Sequence, residues 1–179
     1  MTNPAPPYAS AAAIPSGYEW PSESILQVAP FVVRRMVKWH ECDPAGVVYA
    51  GNFVTYASSA SHMFLGHLLG GRFHEKKREI GVDFPAKGYQ LVFYSSLRPD
   101  QYFDMTVSVA RIGRASFTNQ VLGTSLTGEL VFVAQLTPIC VVPGGPKGRQ
   151  SVPIPDPLRK ALQAHINPAP HPMDGGAKS

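Results

Sequence analysis

One acidic side chain stands where it can do chemistry. In the stretch His40-Glu41-Cys42-Asp43-Pro44-Ala45-Gly46, Asp43 opens a turn signature, with Pro fixing φ at the second position and Gly at the fourth. To its left, Phe31 to Trp39 has the β-branched and aromatic content of a strand. To its right, Val54, Ala57, Ser61, Phe64 and Leu68 recur at steps of three and four, as one face of a helix does. A carboxylate in such a strand-to-helix turn faces the free N–H groups and positive dipole end of the helix. An acidic group placed near a helix start can do chemistry. Taken alone, Asp-Pro-x-Gly is equally ordinary turn chemistry, and both readings stand at this point.

The neighbouring residues offer less. Glu41 shares a strand face with Asp43 and is a second carboxylate, expected to be solvated or ion-paired, while His40 points to the opposite face. Cys42 has no partner His in a recognisable setting, so it is expected to be a buried, inert thiol. A zinc motif fails at His40-Glu41, because Pro44 stands where a second His is needed, and at His74-Glu75, where Arg78 stands. There is no Gly-x-Ser-x-Gly elbow and no glycine-rich phosphate loop.

The elements that must hold Asp43 follow from the rest of the chain. Its 179 residues suffice for one domain with a real core, and 44% hydrophobic against 16% charged residues suits a soluble globular protein. No run approaches the length of a membrane-spanning helix, no secretory signal is visible, and no membrane partner is expected. Two cysteines without metal-ligand spacing fit a reducing, cytoplasmic setting, and neither a metal nor a cofactor is expected. The net charge of +4 comes without a basic run interleaved with aromatics, which argues against nucleic acid as a partner.

The 18 prolines concentrate at the ends. Residues 1–30 are read as a Pro/Ala-rich disordered leader, with 22–30 either a short helix or an extended lead-in, and residues 167–179 as a disordered tail. Between them, 31–166 form the folded domain. A helix over about Gly51 to Leu69, closed by Gly70-Gly71, spans ~28 Å, enough to cross four or five strands. Phe73 to Gly81 is a second short helix or a loop. The period then changes to two: strands are expected over Tyr89 to Leu97, from Phe103 through Val109, Ser116 to Ser125 and Glu129 to Val142, with Pro143-Gly144-Gly145-Pro146 ending the sheet. A last helix begins with Asp156 as cap and Pro157 at its first position. Strands in succession after one helix imply α+β with an antiparallel sheet.

The run Trp39 to Tyr49, followed by Asn52-Phe53, resembles the signature of the 4-hydroxybenzoyl-CoA thioesterase family. Leu97 to Asp104 and Gly113 to Phe117 resemble that family's later strand-turn-strand and central hairpin, so the similarity covers about residues 31–142. The resemblance implies a hot-dog fold, a long helix wrapped by a curved antiparallel sheet. It also implies a homodimer or a dimer of dimers, up to a homotetramer, with sites at subunit interfaces. It implies that Asp43 is the catalytic carboxylate, nucleophile or general base, and that the Ala50 N–H polarises the thioester carbonyl.

The activity so implied is hydrolysis of an acyl-CoA. One branch acting on aliphatic acyl-CoAs carries His where this chain has Ala50, which favours an aryl-CoA. Tyr49, Phe53 and Tyr56 can line an acyl or aryl pocket, although at helical spacing they are equally often core. Arg111, Arg114, Lys147 and Arg149 can meet the phosphates of coenzyme A, Arg114 foremost. Two alternatives stay open: an aliphatic acyl-CoA or acyl-carrier-protein thioesterase, and a non-catalytic acyl-CoA-binding module.

Overall fold

The computed structural model describes residues 22–145 and 148–167. Six strands pair antiparallel in the order β1-β2-β4-β5-β6-β3: β1 is Glu23–Val28, β2 Phe31–Met36, β3 Ala86–Phe93, β4 Tyr102–Ile112, β5 Phe117–Ser125 and β6 Leu130–Pro138. Helix α1, Ala50–Leu68, packs against β4, β5 and β6. Two short helices, α2 (Phe73–Glu79) and α3 (Asp156–Gln163), complete the layer. This is the hot-dog fold, an α+β arrangement of one long helix and one antiparallel sheet.

The alternation in β4 decides which face the sheet buries. Phe103, Met105, Val107 and Val109 are buried and meet α1, while Asp104, Thr106 and Ser108 face outward. From the helix come Phe53, Tyr56, Ala57, Ala60, Ser61, Phe64 and Leu65. Each large side chain so buried contributes about 1.5–3 kcal/mol. The helix face differs from the expected one: Val54 is exposed and Leu68 half-buried, because the buried stripe is turned toward Phe53, Tyr56 and Ala60. Gly123 in β5 lies opposite Phe132, and a Cβ there would come within 2.2 Å of the Phe132 ring. Only glycine lets that ring lie flat across β5.

Several boundaries fall elsewhere than the sequence suggests. Residues 23–28, placed at the end of the leader, are a strand paired with β2, and their addition gives six strands instead of four or five. Residues 1–21 and 168–179 lie outside the described residues. The last long strand stops at Pro138, and Val141–Gly145 pairs with Gly148–Ser151 as a separate hairpin, β7–β8. The chain leaves the sheet there because its backbone groups bond elsewhere: Cys140 N–H to Ala115 O at 2.7 Å and Val141 N–H to Asp83 O at 2.9 Å. At α3 the cap is Pro155 and Asp156 is the first helical residue, where its charge meets the positive end of the dipole. No helix among the described residues is long and apolar enough to cross a membrane.

Candidate active site

Between β2 and α1 the chain folds back on itself as a miniature hairpin. A one-turn 3-10 helix, Trp39–Glu41, leads into it, and Cys42 and Val48 pair across it. Asp43 N–H donates to Val47 O and Gly46 N–H to Asp43 O, both at 2.9 Å. Gly46 sits at φ +74°, the left-handed region that glycine enters without strain. The Asp43 side chain closes the turn from within, its Oδ1 accepting the Ala45 N–H at 2.8 Å. Its Oδ2 has no partner among the described residues, and the side chain is half-buried.

The base of the hairpin is tied to the helix start. Glu41 O accepts both Tyr49 N–H at 3.0 Å and Asn52 Nδ2 at 2.7 Å, and Val48 N–H donates to Leu97 O at 2.9 Å. Tyr49 is the N-cap of α1 and offers no side-chain cap, and Ala50 is the first helical residue. The N–H groups of Ala50 and Gly51 therefore point out of the first turn with no carbonyl of the helix to meet them. Asp43 and Ala50 stand on opposite arms of one short hairpin.

Beneath the hairpin lies a buried charged network. Glu41 is 7% exposed. Its Oε1 accepts from Arg35 Nη2, and its Oε2 accepts the Tyr56 hydroxyl and the Lys38 N–H, each at 2.7 Å. Arg35 also meets Glu23 at 3.4 Å and lies 4.3 Å above the centre of the Tyr56 ring. Burial by itself would raise the Glu41 carboxyl, but the Lys38 N–H, the Tyr56 hydroxyl and Arg35 outweigh it and hold it below its ordinary value. Burial and the adjoining Glu41 push the Tyr56 hydroxyl far up, so it stays a donor.

A cavity of about 310 Å³ opens at the helix start, lined by Val48, Ala50, Phe53, Phe93, Tyr94, Ser95 and Ser96. Ser95 and Ser96 also border a second cavity of about 520 Å³ with Asp100, Gln101 and Glu129. Of the residues singled out in the sequence, Ala50 and Phe53 line this cavity, whereas Asp43 sits in the hairpin turn and Tyr49 at the helix N-cap, outside its lining. Tyr49 is 61% exposed, and its ring lies so close over Gly51 that a Cβ there would be 2.7 Å from it. Phe53 packs edge-on against Phe93 and Phe132, with ring centres 5.0 and 5.2 Å away.

The others go elsewhere. Tyr56 is fully buried and does not line the cavity, because its hydroxyl is committed to Glu41. Met36, near the site, pairs with Tyr102 at the start of β4, whereas Arg111 lies nine residues further along that strand. At about 3.4 Å per residue this sets Arg111, and Arg114 beyond it, roughly 30 Å from the hairpin within one chain. Both are exposed. Lys147 and the Arg149 side chain lie outside the described residues.

Cys42 is half-buried where a buried thiol was expected. Burial, then Glu41, Asp43 and Asp100, push its thiol up, which leaves it a poor nucleophile. Glu41, placed on one face with Asp43 by strand spacing, turns instead into the core, since the chain is a 3-10 turn at that point and not a strand. Sequence reasoning missed Phe93 to Ser96 as cavity wall. Their signal was present in Phe93-Tyr94-Ser95-Ser96, aromatic and then small polar, at the end of a strand that borders the helix start.

A model of the family described as the thioesterase-like superfamily matches residues 37–162. A "putative esterase" of Aquifex aeolicus is 27% identical over 89 residues, half of this chain and 68% of that protein. Among solved structures, a thioesterase superfamily protein from Jannaschia sp. superposes with a TM-score of 0.70 at 26% identity, over 78% of this chain and 94% of its own. The 4-hydroxybenzoyl-CoA thioesterase of a Pseudomonas strain does so with a TM-score of 0.64 at 18% identity, over 73% and 96%.

Proposed function

The chain belongs to the thioesterase-like superfamily, and from that premise we propose that it hydrolyses an aryl-CoA thioester, of the 4-hydroxybenzoyl-CoA kind, to the free acid and CoA. The observation that carries this reading is the hairpin, in which Glu41 O fixes the helix start on the same short turn as a carboxylate with one oxygen unpartnered among the described residues. A thioester is already activated, so an oriented carboxylate and an oxyanion donor are the main requirements.

In this reading the thioester carbonyl oxygen receives the Ala50 N–H, aided by the positive end of α1. Asp43 Oδ2 then either attacks the carbonyl carbon, forming an anhydride that water opens, or takes a proton from attacking water. In both routes the C–S bond breaks and CoA leaves with the sulfur's electron pair. Phe53, Phe93 and Tyr94 give the cavity aromatic walls, which favours a flat aryl group. The solved relative that acts on 4-hydroxybenzoyl-CoA shares the fold that holds these walls.

A homodimer, or a dimer of dimers, is part of the proposal. The outer edge of β3 carries no neighbouring strand among the described residues, and Phe93 and Tyr94 at its end are exposed. Such an edge invites pairing with a second copy. Arg111 and Arg114, distant from Asp43 within one chain, would meet CoA phosphates only in a site completed by another subunit. Thiol release over benzoyl-, 4-hydroxybenzoyl-, phenylacetyl- and aliphatic acyl-CoAs tests the substrate: turnover concentrated on aryl thioesters supports it, and turnover on aliphatic chains alone overturns it. Sedimentation that reports a monomer would remove the dimer.

A further inference from the structure

Beneath the hairpin lies a buried ionisable cluster, Glu41 with Arg35 and Tyr56, that the proposed chemistry does not use. We propose that Glu41 is a positioning residue: its carboxylate, clamped in the core, sets the distance between Asp43 and the Ala50 N–H. The inference rests on the thioesterase reading given above and deepens it.

Two sets of bonds meet at this residue. The carboxylate is held by Arg35 from β2, by the Tyr56 hydroxyl from the second turn of α1, and by the Lys38 N–H. The carbonyl of the same residue holds Tyr49 N–H and Asn52 Nδ2 at the first turn of α1. Glu41 is thus bonded to α1 at two levels, one through its side chain and one through its backbone. Asp43 follows it by two residues, and Ala50 follows Tyr49 by one. Any rotation of the helix start away from Asp43 must break a bond to Glu41.

The charge itself matters to this role. A neutral side chain could accept the Tyr56 hydroxyl or the Lys38 N–H, but it would leave Arg35 with the 3.4 Å contact to Glu23 as its one ion pair among the described residues, besides the Tyr56 ring. Charge-assisted bonds are shorter and stronger than neutral ones, so the clamp is stiff because it is ionic. The cost of burying an ion pair is not offset by packing alone, and a role in fixing one geometry accounts for its presence here.

The test compares Tyr56→Phe, Glu41→Gln and Asn52→Ala with wild type and Asp43→Asn, well below every melting temperature. Steady-state thiol release gives kcat and KM on the best aryl-CoA, and amide hydrogen exchange is followed at Tyr49. Tyr56→Phe keeps the ring and removes one bond to Glu41. The expected result is a kcat about tenfold lower with KM unchanged, together with at least tenfold faster exchange at the Tyr49 amide. Asn52→Ala should behave alike. Glu41→Gln should show the larger effect where it folds; if it does not fold, the other two variants decide. Wild-type kcat and unchanged Tyr49 protection in Tyr56→Phe and Asn52→Ala, with Asp43→Asn inactive, would overturn the positioning role and leave the thioesterase reading intact. Full turnover in Asp43→Asn would instead overturn that reading, and the Tyr49 exchange would still decide whether Glu41 holds the helix start.

Discussion

The carbonyl of Glu41 accepts the N–H of Tyr49 at 3.0 Å, eight residues further along the chain. This bond closes the hairpin that holds Asp43 and ends it on the N-cap of α1. Because the N-cap is thereby immobilised, the two helical N–H groups after it are aimed without any further ordering. Donors aimed before the reaction cost no reorganisation when charge develops, which is why a short backbone hairpin can contribute much to catalysis.

The N–H proposed as the oxyanion donor can be removed at a position whose backbone accepts proline. Ala50 is the first residue of α1, where proline is well tolerated, and Tyr49 at φ −59°, ψ 131° has the extended conformation that a residue before proline requires. Ala50→Pro should therefore fold with a melting temperature close to wild type. Its kcat should fall by about 10²–10³, the usual cost of one oxyanion donor. Thermal unfolding and thiol release on the same preparation check both halves.

Acid should act on stability through Glu41. Its carboxyl in the folded chain is held below the ordinary value of 4.5, with burial opposing and Lys38, Tyr56 and Arg35 prevailing. Its contribution is then fully present above about pH 4.5 and lost as pH falls through the folded value. In Glu41→Gln the melting temperature at pH 7 should drop, corresponding to about 3 kcal/mol for a broken buried pair. Its further fall between pH 5 and pH 3 should be shallower than wild type. Melting curves over that range, for both proteins, measure the difference.

Gly123 permits the close contact between β5 and β6. With the Phe132 ring 2.2 Å from where a Cβ would stand, Gly123→Ala forces that ring to move within a packed aromatic cluster that includes Phe53 and Phe103. Overpacking of this kind costs about 1–3 kcal/mol. Denaturant unfolding should show the loss as a lower midpoint with the slope unchanged.

Much of this architecture was legible in the sequence where one period dominated. The alternation from Phe103 to Val109 marked β4 and its buried face, and Gly70-Gly71 marked the end of α1, where Gly70 indeed adopts φ +74°. The Asp43 turn was legible because Pro and Gly act through local backbone sterics and Asp through a hydrogen bond to the backbone two residues on. What was not legible depended on contacts distant in sequence. Glu23–Val28 reads as either a short helix or an extended lead-in because Ile25, Leu26 and Val28 keep neither a helical nor a strand period, and only pairing with β2 makes it a strand. Tyr56 and Phe53 are indistinguishable by helical spacing, yet one is claimed by Glu41 and the other faces the cavity. Arg111 and Arg114 were singled out by charge, and Arg114 also by its place in the central hairpin, but neither tells how far along the strand pair that hairpin lies from Asp43.

The most direct measurement is single-turnover hydrolysis of 4-hydroxybenzoyl-CoA by Asp43→Asn beside wild type. The substitution keeps an acceptor for the Ala45 N–H, so the turn and the fold should persist. The variant is expected to bind the thioester with similar affinity and to release thiol at least a hundredfold more slowly. A folded Asp43→Asn protein that releases thiol at the wild-type rate would contradict the catalytic role proposed for Asp43.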